Sequence, residues 1–266
     1  MNAAALLEHI ARWRGTLPRL NTVGLVPWTL ENQLCGWVTP ALSGRLIASE
    51  LFEPGRNGSL SLRCSGGPIS KSLALQALAE ALHAEGHIPG WRNELHDYVD
   101  DWGRVRFSIE RAAFRTFGLR SRAVHINGYC GDHWLWLGRR ATSKATDPGK
   151  LDNLAAGLVS SGETPLQALV RELAEEAGVP ASIALQARPA GMIHSQRLEA
   201  EGVHDELLYC YDLDLPAGFA PVNTDGEVSE FIQLKPQAAA TRLDELSWDA
   251  AAVTAEWLCR WLDGEA

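Results

Sequence analysis

The sequence predicts an α+β fold in two units, a smaller one over residues 1–118 and a larger one over 119–266. Two observations lead there. A length of 266 residues suits one large or two modest domains. The chain also divides near residue 118. Short strand-like pieces, turn residues and helical stretches precede that point, and a hairpin, further strands and two long helices follow it.

Taken in order, residues 1–14 read as an amphipathic first helix and not as a signal peptide. The apolar portion is short, no early positive charge precedes it, and Glu8 interrupts it. Residues 34–39 and 45–48 read as strands. A helix is expected over 71–85, where Leu73, Ala77, Leu78, Ala81 and Leu82 recur at helical spacing and Gly86 ends the run. Another helix is expected over 108–117, closed by Gly118. A β-hairpin follows: residues 123–130 alternate apolar and polar, Gly131-Asp132 turns the chain, and 133–140 return with Trp134-Leu135-Trp136-Leu137. Strands are expected over 206–215 and 229–234. A terminal helix over 248–262 presents Trp257, Leu258 and Trp261 to the sheet.

The helix at 165–177 carries the strongest local signals. Thr164 is a good N-cap, and Pro165 suits the first helical position because its missing N–H would be unpaired anyway. Gly178 can take the left-handed cap conformation and Pro180 prevents continuation. Leu166, Leu169, Val170, Leu173 and Ala177 form one apolar stripe. Glu172 and Glu176 stack beside it, and Glu175 lies a turn from Glu172. Three carboxylates with only Arg171 among them repel one another and raise one another's pKa unless a counter-ion sits between them. A solvated acidic face would explain such a cluster on an arbitrary helix. It leaves Gly157 and Glu163 upstream without a role. A hard divalent cation with oxygen ligands accounts for the cluster, and Mg²⁺ fits a site shared with substrate phosphates.

Composition narrows the class. Lys plus Arg is 24 and Asp plus Glu is 33, so the net charge is −9, which argues against a general nucleic-acid-binding surface. It leaves open a phosphorylated small molecule, because a bound metal reverses the local field. No apolar run approaches the ~20 residues that cross a bilayer. The five cysteines (Cys35, Cys64, Cys130, Cys210, Cys259) are scattered, with no Cys-x-x-Cys. Reduced thiols in a cytoplasmic protein are the simplest account. A homodimer is among the oligomeric states left open.

Residues 157–179 place Gly157, Glu163, Arg171-Glu172-Leu173, Glu175-Glu176 and Gly178-Val179 at the separations of the Nudix box. The chain resembles the Nudix hydrolases. That resemblance implies an α/β/α sandwich with a mixed sheet, and Mg²⁺, or Mn²⁺ in its place, as cofactor. It implies metal ligation by Glu172, Glu175 and Glu176. Glu163 and Arg171 become a structural ion pair, and Gly157 and Gly178 structural positions of the box. Ala156 stands where many boxes have a first glycine, and its carbonyl remains available to a metal. The reaction implied is attack of water on a diphosphate phosphorus, with Glu175 or Glu176 holding or deprotonating the water. Glu227, in Asp225-Gly226-Glu227-Val228, is a further candidate to complete the metal site or act as base.

The segment from Arg139 to Gly157, with His125-Ile126-Asn127-Gly128-Tyr129 upstream and Asp225 to Val228 downstream, is similar to one Nudix branch. Its members carry an extra N-terminal domain and relate to the Nudix part of fungal thiamine pyrophosphokinase fusions. The resemblance implies hydrolysis of thiamine diphosphate, or its oxo and oxy analogues, to monophosphates. Arg139, Arg140, Lys144 and Lys150 are candidates to grip phosphate oxygens, with Asp152 and Asn153 ranked behind them. His125 reads as a core histidine. His194 and His204 flank a loop near the expected substrate side, and most of the ten tryptophans read as core or interface. Two alternatives stand beside this: cleavage of ADP-ribose or a nucleotide sugar, and a Nudix-fold regulator that binds without cleaving. The regulator reading expects a missing box carboxylate, and none is missing.

Overall fold

The computed structural model describes residues 2–265. The first helix, α1 (Ala3–Arg14), is followed by the hairpin β1 (Val26–Leu30) and β2 (Gln33–Val38), whose turn residues Glu31 and Asn32 both have positive φ. Helix α2 (Pro40–Ala48) leads to β3 (Phe52–Pro54) and β4 (Leu60–Leu62), completing a four-stranded sheet in the order β2-β1-β4-β3. Helix α3 (Pro68–Ala84) precedes a separate two-stranded ribbon, β5 (Leu95–Val99) and β6 (Val105–Glu110). The short α4 (Ala113–Phe117) ends at Gly118, whose φ of 61° is left-handed. Trp28, Phe52, Phe107 and Phe117 centre the core of this part, and the Trp28 indole N–H donates to the Phe117 carbonyl.

The second part is built on β7 (Arg120–Cys130), β8 (Trp134–Arg140), β9 (Leu151–Asp152), β10 (Ala155–Leu158), α5 (Pro165–Ala177), α6 (Ala181–Ala184), β11 (Arg188–Glu199), β12 (Gly202–Asp214), β13 (Val228–Leu234), α7 (Pro236–Ala240) and α8 (Trp248–Leu262). Its seven-stranded sheet runs β11-β12-β7-β8-β13, with β10 on β7 and β9 on β8. The β12–β7 pair is parallel and the others are antiparallel, so the sheet is mixed. Helices α5 and α6 cover one face over Val124 and Ile126. Helices α7 and α8 cover the other over Leu135 and Leu137, and α1 joins them there. The result is an α/β/α sandwich of the α+β class, preceded by a smaller mixed part.

Several elements differ from their sequence readings. Helix α3 buries Lys71, Leu75, Ala79 and Leu82, whereas Leu73, Ala77 and Ala81 of the expected apolar face are exposed. Residues 45–48 lie in α2 and are not a strand: Thr39 accepts the Leu42 N–H, Pro40 opens the helix, and Leu42 and Leu46 bury one face. Residues 108–110 lie in strand β6, where Phe107 and Ile109 are buried in alternation, so the expected helix shrinks to α4. Strand β11, absent from the sequence reading, forms the sheet edge beside β12.

Candidate metal and diphosphate site

Helix α5 is capped reciprocally at its start. The Thr164 hydroxyl accepts the Gln167 N–H at 3.3 Å, and the Gln167 side chain accepts the Thr164 N–H at 2.9 Å. Gly178 closes it with φ 64°. Ala168, Leu169, Leu173 and Ala177 are buried against the sheet, whereas Leu166, expected in the stripe, is exposed. Glu172 and Glu176 sit at the rim of that buried face, only 8% and 6% exposed. Gly157 on β10 passes directly over Glu172, so any Cβ there would overlap its carboxylate. Beside it, the Ala156 N–H donates to Glu176 at 2.9 Å.

Arg171 organises the surrounding loop. It donates to both Glu163 oxygens at 2.8 and 2.9 Å, to the Leu158 carbonyl at 3.0 Å and to Glu172 at 2.6 Å, and it lies 3.3 Å from Glu175. The Arg171 hydrogen bond holds Glu163 below the usual carboxylate range. Burial pushes Glu172 up, although Arg171 opposes the shift. Burial and then the charge of Glu172 push Glu176 well above its ordinary value. Glu175 is the exposed member of the trio. Its backbone carbonyl accepts the Thr224 N–H and hydroxyl, at 3.0 and 2.7 Å, which docks the 223–227 loop onto α5. Oxygens of Glu176, Asp225 and Glu227 thereby come within 4.8 Å of one another.

This donor set fits a divalent oxygen-seeking cation. Buried Glu176 has Glu172 as the strongest charge acting on it, and Arg171 is already engaged by Glu163, Glu172 and Glu175. Glu172, Glu176, Asp225 and Glu227 would hold the ion, with Glu175 at the rim. Asp225 was missed as a ligand candidate because its approach to Glu176 depends on the docking of a loop far along the chain.

Glu172, Glu175, Asp225 and Glu227 open into a cavity of about 540 Å³, and Glu176 is buried beside them outside its lining; the volume is within the size range of small-molecule sites. Arg140, Lys144, Asp152, Ala156, Glu175 and Glu227 line it, as does His125. Arg140 pairs with Asp152 at 2.7 Å, and Lys144 pairs with Glu227. Arg139, Lys150 and Asn153 do not line it. Arg139 pairs with Glu230 on the strand surface, and Lys150 faces Asp147 at 3.6 Å. Asn153 is 2% exposed and bonded to His125, Asn127 and Thr254. His194 pairs with Asp205 and stands outside the cavity, whereas His204 lines it, with Asp249 at 3.4 Å.

The opposite wall comes from the first part of the chain. Arg92, Glu94, Arg111 and Arg115 face the same cavity. A second compartment of about 300 Å³ shares the three arginines and adds Pro89, Ala112, Phe114 and Leu119. No tryptophan lines either compartment among the described residues. These wall residues carry no local motif, which is why sequence reasoning passed over them.

Residues 119–258 match the NUDIX domain family, and residues 5–121 match a domain of unknown function, DUF4743. Nudix hydrolase 24, chloroplastic, from Arabidopsis thaliana is 34% identical over 85% of the chain. Nudix hydrolase 20, chloroplastic, from the same plant is 36% identical over 77% of it. The matches span 63% and 59% of those relatives, so the chain covers less than two thirds of their length. The crystal structure of DR0079 from Deinococcus radiodurans is similar at a TM-score of 0.50 and 26% identity, over 60% of this chain and 97% of that one.

Proposed function

The chain belongs to the Nudix family, and from that premise we propose that it is a divalent-metal-dependent hydrolase of a small-molecule diphosphate. The observation that carries this reading is the carboxylate cluster of α5, in which Glu172 and Glu175 open to a cavity of about 540 Å³ and Glu176 is buried beside them, with Arg171 the one cation bonded to the cluster among the described residues. Mg²⁺, or Mn²⁺, bound there would supply charge for the diphosphate oxygens and acidify water. Glu172, Glu176 and the Asp225–Glu227 loop would hold the ion. Water attacks one phosphorus as a carboxylate takes its proton, and the bridging P–O bond breaks to leave a phosphate monoester and orthophosphate from a terminal diphosphate, or two monoesters from a bridging one. A carboxylate of this cluster takes the proton of the attacking water, and Glu176 is one candidate for that role. Glu175 at the rim is the other candidate for holding the water. Arg140 and Lys144 are placed to meet phosphate oxygens once released from Asp152 and Glu227.

The finer substrate reading is thiamine diphosphate or its oxo and oxy analogues, cleaved to the monophosphate. Its support is the signature from Lys144 through Asn153, the N-terminal part of matching length, and a second compartment whose Phe114, Leu119 and Pro89 wall suits a heteroaromatic ring. ADP-ribose or a nucleotide sugar is the competing substrate. Arg92 favours it, because its guanidinium has no ion pair among the described residues and is available to a more oxygen-rich group. We assign residues 1–118 to substrate recognition and 119–266 to catalysis, in a protein that resides in the cytoplasm. The test compares kcat/KM with Mg²⁺ for thiamine diphosphate, its oxidised analogues, ADP-ribose and a nucleotide sugar. Preference for ADP-ribose overturns the substrate and leaves the chemistry. Binding without turnover of any of them points to a ligand-sensing regulator.

A further inference from the structure

Asp97 lies on β5, in the part that matches the domain of unknown function, and is 7% exposed. Its Oδ1 accepts the hydroxyls of Ser108 and Ser161, each at 2.6 Å, and its Oδ2 accepts the Gly162 N–H at 2.9 Å. Next to it, the Leu95 carbonyl accepts the Ser161 N–H at 2.9 Å. Strand β5 pairs in its ribbon only with β6, so its other edge is the one that grips Ser161 and Gly162. Those two residues belong to the loop between β10 and α5. Burial alone would push the Asp97 carboxyl up, but the three donors outweigh it and hold it below the usual range. A buried ionised carboxylate saturated by donors is a rigid anchor.

The anchored loop runs straight into the metal helix. Glu163 follows Gly162 and accepts the Ser160 N–H at 3.0 Å. Arg171 bridges both Glu163 oxygens and donates to Glu172 at 2.6 Å. A continuous path of hydrogen bonds and one loop backbone thus leads from β5 to a carboxylate of the metal cluster.

We propose that Asp97 is a positioning residue for the metal site: by holding Ser161 and Gly162 it seats Glu163 against Arg171 and so fixes the Glu172 carboxylate. The N-terminal part is then a structural half of the catalytic loop, in addition to forming a wall of the substrate cavity. The inference rests on the reading of Glu172 as a metal-holding residue.

The full chain carries the test, as Asp97→Ala, Asp97→Asn and Ser161→Ala. Two readouts are taken: amide hydrogen exchange over residues 160–163 without metal, and the midpoint of Mg²⁺ binding in a calorimetric titration. Asp97→Ala strands three donors. It should speed exchange in that loop and raise the Mg²⁺ midpoint about tenfold, the low end of what loss of an outer-sphere partner costs a metal site. Asp97→Asn should recover most of both, because its carbonyl can take the Gly162 N–H while its amide donates to the serine hydroxyls. Ser161→Ala should move both readouts the same way by less, and it carries the test if Asp97→Ala does not fold. Unchanged loop exchange in the variants overturns the inference, and so does a lowered Tm with an unmoved Mg²⁺ midpoint. A wild-type protein that shows no Mg²⁺ binding in the titration instead overturns the metal reading on which the inference stands.

Discussion

Glu176 has no basic partner in an ion pair among the described residues, and the charge that acts on it most is another acid, Glu172. In the metal-free protein at neutral pH its charge works against the fold. Glu176→Gln should therefore leave the metal-free Tm unchanged or higher while cutting turnover by at least about 100-fold, or about 3 kcal/mol of barrier. Turnover within a fewfold of wild type at saturating Mg²⁺ would remove Glu176 from the mechanism. His96 makes the opposite kind of prediction. Burial first, then the charge of Arg111, push its imidazole down to about 4 from an ordinary 6.5. Glu94 and Asp97 pull the other way without prevailing. The folded state binds this proton less readily than the unfolded state, so the unfolded state takes up more protons between those values. Stability should be flat above about pH 6.5 and fall by up to about 3 kcal/mol towards pH 4 from this residue alone. His96→Phe, beside Phe114, should flatten that limb of the denaturation curve. An unchanged slope would show that other groups set it.

At the scale of elements, the close pass of β10 over α5 is the most exacting contact. A Cβ on Gly157 overlaps the Glu172 carboxylate, which is already held by Arg171. Gly157→Ala should push the strand and helix apart, at about 1–3 kcal/mol of stability, and disturb metal binding more than the volume of a methyl suggests. A Tm and Mg²⁺ midpoint equal to wild type would contradict that geometry. Helix α5 was legible in the sequence because its signals are local: Thr164 caps, Pro165 opens and Gly178 closes it. The terminal helix was legible for its apolar spacing. Residues 45–48 misled because Leu46 and Ile47 read as a strand when considered without Thr39 and Pro40. Strand β11 hid because it is an edge strand, with Arg197 its one buried side chain and a register shift between Pro189 and Met192. The α5 carboxylates of the site were legible as a motif on one helix, whereas Asp225 was not, since only the docking of its loop brings it to Glu176. The cavity wall was not, since Arg92, Arg115 and His204 meet only through tertiary packing.

At the scale of the whole molecule, the boundary near residue 118 is crossed by more than the peptide chain. Helix α1 buries Leu6, Ile10 and Trp13 in one cluster with Ala251, Trp257 and Leu258 of α8. His9 reaches the Ala240 carbonyl at 3.1 Å and Arg14 pairs with Glu256 at 2.8 Å. Gly202 at the start of β12 has φ 136° and leaves no room for a Cβ against the Arg115 carbonyl. Burying three large apolar side chains is worth roughly 1.5–3 kcal/mol each, or about 5–9 kcal/mol in sum, which is of the order of a domain's whole stability. A fragment of residues 119–266 should therefore lack a cooperative thermal transition, although the box is intact within it. Fusing residues 2–17 back to it, through a flexible linker, should restore a transition by recovering the α1 contacts. The restored fragment should still lack the Asp97 clasp and the Arg92, Arg111 and Arg115 wall. Its discrimination among diphosphates, read as the ratio of kcat/KM values across the panel, should collapse towards unity, and its Mg²⁺ requirement should rise. A bare 119–266 fragment that melts cooperatively within a few degrees of the full chain would show that α1 is dispensable packing. A fused fragment with wild-type selectivity would show that the catalytic part recognises its substrate unaided.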